Sequence, residues 1–154
     1  MKVLRFFCLF AALIATLASA QPENPQIRKE VQAVYTKWDR LVAKADIEGM
    51  LALLAEDFVS IDVEGNVHNR AEVVKEFQAF KDVREPRSKI RVDHVYWDEQ
   101  EAVAWVTMEA SFLVKQGGKW ERMTFTGKFA ETLRKSPSGW KFVCSQQLPD
   151  EKSN

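Results

Sequence analysis

Between Pro25 and Lys44 the apolar positions Ile27, Val31, Val34, Trp38 and Leu41 recur at intervals of four, three, four and three, the stripe of an amphipathic helix. Asp46 then stands where an N-cap stands, and Met50, Leu51, Leu53 and Leu54 predict a second, shorter helix ending near Glu56. The pair predicts a helical hairpin. β-Branched and aromatic residues from Phe58 to Val63 predict a strand, closed by the turn signal Glu64-Gly65-Asn66. Asn69 with Glu72 three residues on has the form of a capping box, and Val73, Phe77 and Phe80 supply a third helical stripe.

From Ser88 the period shortens to two. Ile90, Val92, His94 and Tyr96 alternate with polar residues, and Ala102, Ala104, Val106, Met108, Ala110, Phe112 and Val114 share one face of the next strand. Gln116-Gly117-Gly118-Lys119 reads as a hairpin loop leading to a strand that places Met123, Phe125, Gly127 and Phe129 on one face. Lys135 to Gly139 turns the chain into a last strand, Trp140 to Gln147. Short hairpins leave no room for crossover helices, so the three helices must collect on one side of the sheet. The predicted fold is α+β: a cone-shaped two-layer sandwich of three N-terminal helices against a curved, mostly antiparallel sheet.

The first twenty residues change the picture of where this domain works. Lys2 and Arg5, the apolar run Phe6 to Ala15, and Ala18-Ser19-Ala20 before Gln21 have the three parts of a secretory signal. The run is shorter than the ~20 residues a membrane-spanning helix needs, and Cys8 lacks the small-residue context of a lipidated cysteine. The expectation is an exported protein, periplasmic or secreted, with residues 21–154 forming one domain (core about 25–148) and no membrane association after cleavage. Cleavage leaves twenty basic against twenty-two acidic residues, a formal charge of −2 that suits neither nucleic acid nor an anionic membrane. Cys144 is then the remaining cysteine, which excludes an intrachain disulfide and suggests a small core residue.

Several short motifs in order carry a resemblance. Val34-Tyr35-Thr36-Lys37-Trp38, Ala45-Asp46-Ile47-Glu48-Gly49, Leu53-Leu54-Ala55-Glu56-Asp57-Phe58 and Asp62-Val63-Glu64-Gly65, with the four-strand tail, resemble the nuclear-transport-factor-2-like, SnoaL-like superfamily, in particular its type with a domain of unknown function numbered 4440. Such domains serve as isomerases, cyclases, dehydratases, epoxide hydrolases, pocket proteins and dimerising adaptors, so the fold leaves the function open.

The resemblance implies site residues position by position. Asp62 stands where the superfamily's isomerases place a general-base carboxylate, and it shares a strand face with Phe58 and Ser60. It also precedes a turn, where an aspartate commonly accepts backbone N–H bonds. Trp38 stands where those enzymes carry a hydrogen-bonding tyrosine, and the second oxyanion donor falls near Gly127 or Lys128, where no acid occurs. The isomerase set is thus incomplete, and whether the chain is an enzyme stays open.

Other chemistry is sparse. His68 and His94 lie on separate elements without metal-site spacing, so no metal and no cofactor are expected. An Asp-Arg-Asp relay cannot be assembled from inward positions. Arg122, Thr124, Thr126 and Lys128, with Trp105, Thr107 and Glu109, form the outer sheet face, either solvated or a homodimer interface. The leading expectation is a small apolar or amphipathic ligand walled by Trp38, Phe58, Met108 and Phe125 and oriented by Asp62. The alternatives are a lyase, isomerase or cyclase acting on a carbonyl substrate with Asp62 as base, and a dimerising accessory of another exported protein.

Overall fold

The computed structural model describes residues 24–98 and 100–149, and the leader expected at residues 1–20 lies outside them. Helix α1 (Pro25–Ala43) is opened by Asn24, whose side chain accepts the N–H groups of Gln26 and Ile27. It buries Ile27, Val31, Tyr35 and Val42; Val34, Trp38 and Leu41 form a partly buried flank of that stripe. Helix α2 (Ile47–Ala52) starts at Asp46, which caps the Gly49 N–H. It stops four residues before the expected Glu56, because Leu54 already opens strand β1 (Leu54–Ile61). Leu53 and Leu54 are both buried in the core, so this apolar pair serves the sheet as well as the helix.

A three-residue strand, β2 (Val67–Asn69), went unread in the sequence; α3 (Arg70–Gln78) follows it with the capping box between Asn69 and Glu72 in place. A 3₁₀ turn (Ala79–Asp82) then leads to β3 (Arg84–Trp97), β4 (Glu101–Gln116), β5 (Lys119–Ser136) and β6 (Gly139–Leu148). Gly117 and Gly118, at φ of 55° and 84°, make the tight β4–β5 turn that positive-φ residues favour.

The strand order is β2-β1-β6-β5-β4-β3, antiparallel except where β1 runs parallel to β6. The expected run of four antiparallel strands is β3 to β6, and β1 joins it at the β6 side. The helices pack on one face of this curved sheet, an α+β architecture, and the core lies between them. No helix among the described residues is long and apolar enough to cross a membrane.

A bulge corrects the alternation read for β3. The β3–β4 register slips between Val92 and His94, so the inward series runs Ile90, Val92, Val95, while His94 and Tyr96 turn outward and are exposed. The same edge strand is closed by side chains of α1. Gln32 donates to the Ile90 carbonyl and accepts the Val92 N–H, each at 3.2 Å; Arg28 donates to the Val92 carbonyl at 2.7 Å, and Asp39 accepts the Ile90 N–H and the Ser88 hydroxyl. Backbone groups that would otherwise be an open pairing edge are thereby used, and α1 is fixed in rotation about its axis. That rotation aims Tyr35 at the middle of the sheet.

Candidate functional site

Alternation along β5 builds the site. Gly127, Phe129, Glu131 and Leu133 point to the helix side, opposite Met108, Val106, Ala104 and Ala102 of β4. Glu131 therefore sits on an otherwise apolar face, two residues beyond the point where the sequence reading of this strand ended. Its Oε1 accepts the Ser145 hydroxyl of β6 at 2.9 Å, and Tyr35 of α1 faces it from above. Removal from water raises the Glu131 pKa above the ordinary carboxylate value, against the opposing pull of Tyr35 and Ser145.

Tyr35 is fully buried, and its hydroxyl has no hydrogen bond of normal geometry. Burial, reinforced by the carboxyl of Glu131, holds its pKa well above the ordinary phenol value, so it remains a proton-bearing donor. A buried phenol and a buried carboxyl of raised pKa together offer two donors, or a donor and an acceptor, to a polar atom placed between them. Surface area shows Glu131 only partly buried, whereas Phe142 and Leu133 beside it are shut away from solvent.

The aromatic residues wall this pair. Phe142 lies 5.5 Å from Tyr35 and 5.7 Å from Trp38 between ring centroids, and Trp38 meets Phe77 edge-on at 5.9 Å. Phe77, Phe80 and Phe112 continue the chain of rings across the open end of the sheet. Of the expected wall residues, Phe58 is in the core and Trp38 and Met108 pack against it. Phe125 is 37% exposed and folds over Gly127 toward Phe129, at the rim rather than in the wall.

Asp62 lies elsewhere, just past the end of β1. One carboxylate oxygen accepts the Asn66 N–H and the other the Asn66 side-chain amide, each at 2.8 Å, with His68 Nε2 at 3.4 Å. The Asn66 side chain is the main cause of its lowered pKa, the direction that weakens a base. The turn chemistry accounts for its environment. His68 also faces Glu76 at 3.7 Å, while His94 stands opposite Trp105 on the outer face. Among the described residues no group of three or more His, Cys, Asp or Glu is arranged to hold a metal.

The outer face carries the expected residues. Trp105 is 40% exposed, Thr107 bonds Asp93 at 2.7 Å, and Trp120 is covered by the Arg84 guanidinium at 4.1 Å. Cys144, by alternation, also belongs to this side and is partly exposed rather than a core residue. Two surface depressions lie away from Glu131. One, about 560 Å³, is at the end of α2 beside Arg70 and Lys141, which donate to the Leu51 and Ala52 carbonyls. The other, about 430 Å³, crosses β3 to β5 between Arg87, Glu109 and Phe125.

The model of the SnoaL-like domain family matches residues 31–147. Among proteins of curated function, none matches the sequence. Solved structures do. A conserved protein from Planctomyces limnophilus superposes with a TM-score of 0.70 at 13% identity, covering 81% of this chain and 97% of its own. A protein named as a candidate scytalone dehydratase from Novosphingobium aromaticivorans gives 0.69 at 15%, covering 77% and 80%. A nuclear-transport-factor-2-like superfamily protein from Salmonella enterica serovar Typhimurium gives 0.65 at 15%, covering 84% and 94%. At such identities these likenesses show the fold alone.

Proposed function

This chain belongs to the SnoaL-like family of the nuclear-transport-factor-2-like superfamily, and from that premise we propose that its inner face binds a small, largely apolar molecule bearing a carbonyl or hydroxyl group. The Tyr35 hydroxyl and Glu131 carboxyl hold that polar group, and Trp38, Phe142 and Met108 take the apolar body. The observation that carries this reading is the fully buried Tyr35 hydroxyl facing the Glu131 carboxyl, whose pKa burial raises, beside the rings of Phe142 and Trp38. The orienting role expected of Asp62 passes in this reading to Glu131, because Asp62 is occupied by Asn66.

The same pair supports a second reading as a lyase or isomerase. A carboxyl of raised pKa can give or take a proton beside a carbonyl, while a phenol donates to the developing oxyanion. The dehydratase named among the structural relatives is consistent with proton transfer of this kind. We propose further that the chain is exported by its N-terminal leader and that the outer face around Trp105 pairs two copies.

Native mass spectrometry of the protein purified from its own cells tests these statements together. The expected spectrum shows a chain starting at Gln21, in dimeric form, with a reproducible added mass that is lost from Tyr35→Phe. An added mass retained equally by Tyr35→Phe would overturn the assigned site; a chain retaining its first twenty residues would overturn export, and a monomer the pairing.

A further inference from the structure

The hollow of about 560 Å³ at the end of α2 lies apart from Tyr35 and Glu131, and three elements bring charge to it. Arg70 is the first residue of α3, and Lys141 stands near the start of β6. The Arg70 guanidinium donates to the Leu51 carbonyl at 3.4 Å, and the Lys141 ammonium donates to the Ala52 carbonyl. Consecutive carbonyls therefore hold two positive heads side by side, against their mutual repulsion. Closing the end of α2 uses one N–H of each head and leaves the rest for another partner.

The protein balances this charge only in part. Arg70 Nε is shut away from solvent without a hydrogen-bond partner, so the guanidinium has given up water there without replacement. Among the described residues neither Arg70 nor Lys141 forms an ion pair. Glu56 of β1 is the one carboxylate among the described lining residues, which leaves a positive charge in excess. The serine hydroxyls of the β5–β6 turn are already committed. Ser136 donates to the Gly139 carbonyl at 2.7 Å, so the 3.1 Å bond between Ser136 and Ser138 is donated by Ser138. Recognition in this hollow thus falls to the two cations.

We propose that the hollow binds a compact oxyanion, the phosphate or carboxylate group of a small molecule, between Arg70 and Lys141. The planar guanidinium offers paired N–H groups to two oxygens of such a group, and the ammonium adds a mobile point charge. Leu51 and Pro137, which also line the hollow, meet the apolar part of the molecule that carries the anion. An anion seated there restores the balance that the half-buried cations lack, and it ties the start of α3 to the end of α2 and to β6. This site stands on its own residues and does not depend on the role given to Tyr35 and Glu131.

Nuclear magnetic resonance titration of the protein with inorganic phosphate and, separately, with acetate tests it, the ionic strength being held constant with chloride. The expected result is a saturable shift of the Ala52, Arg70 and Ser138 amide signals with a Kd of about 5 mM or tighter for at least one anion. Saturation by phosphate alone assigns the hollow to a phosphate group, and by acetate alone to a carboxylate. Arg70→Gln and Lys141→Gln should each weaken binding about tenfold or more, whereas Glu56→Gln, which removes the opposing charge and keeps both donors, should tighten it about two- to threefold. No saturation by either anion up to about 50 mM, or an affinity indifferent to these substitutions, would overturn the site. Should a glutamine variant at Arg70 or Lys141 lose the dispersed spectrum of a folded chain, Glu56→Gln decides, and an unchanged affinity there would overturn it.

Discussion

Phe142→Ala is expected to destabilise the fold by about 3–5 kcal/mol, a large part of the roughly 5–15 kcal/mol that holds a domain of this size together. The residue is 4% exposed, and its ring is the common support of Tyr35 and Trp38. It stands at the point where β6 bulges, so its backbone is held by both sheet neighbours and by the Leu53 carbonyl, which accepts its N–H at 2.9 Å. Denaturant unfolding should show the midpoint falling sharply with little change in slope, and Phe142→Leu should recover most of the loss. A loss below about 1 kcal/mol would mean that Tyr35 and Trp38 are positioned by something else.

The second large effect has the opposite sign. Glu131→Gln is expected to stabilise the protein at neutral pH while impairing the site. The folded-state pKa of Glu131 is raised, so between its ordinary value and that raised value the folded chain keeps a proton that the unfolded chain releases. Stability linked to this group is complete at low pH and falls as pH rises through the folded pKa. Glutamine removes the titration and can still accept the Ser145 hydroxyl. Thermal unfolding should therefore show a higher midpoint for the variant above neutrality, by roughly 2–8 °C for each 1 kcal/mol recovered, with the two proteins converging in acid. A parallel pair of pH curves would show that Glu131 is not desolvated in the native chain. A stabilising substitution at a proposed functional group is the usual sign of a site kept at a cost in stability.

Helices and hairpins were legible because their signals are local. The Asn69 and Glu72 capping pair, the Asp46 cap and the Gly117-Gly118 turn each act within four residues, and the structure has all three. The β3 alternation failed at Val92 because a bulge moves the following side chains to the other face, and nothing in the local pattern marks that shift. Strand β2 is held by pairing to β1 and has only three residues, too few for a period to appear.

The site was less legible, for reasons that lie in two residues. The stripe read on α1 took Val34 and Trp38 and passed over Tyr35, which lies four residues after Val31 on the same buried line. Continuing the period of two on β5 from Phe129 reaches Glu131 and then Leu133, an acid between two apolar inward positions. Asp62 drew attention through its place in a family pattern, whereas its own neighbour Asn66 four residues on marks the turn that occupies it. The meeting of Tyr35 with Glu131 joins positions ninety-six residues apart in the chain and depends on how α1 is rotated against β3, which no local pattern encodes.

The most direct test of the Tyr35 and Glu131 site compares two probes that differ by one hydroxyl, naphthol and naphthalene, titrated against the protein with tryptophan fluorescence as the signal. A site with a buried donor pair should bind naphthol roughly ten-fold or more tightly than naphthalene, and Tyr35→Phe with Glu131→Gln should bring the two affinities together by weakening naphthol alone. Equal affinities for the two probes in the natural chain, or a preference for naphthol that survives both substitutions, would contradict it.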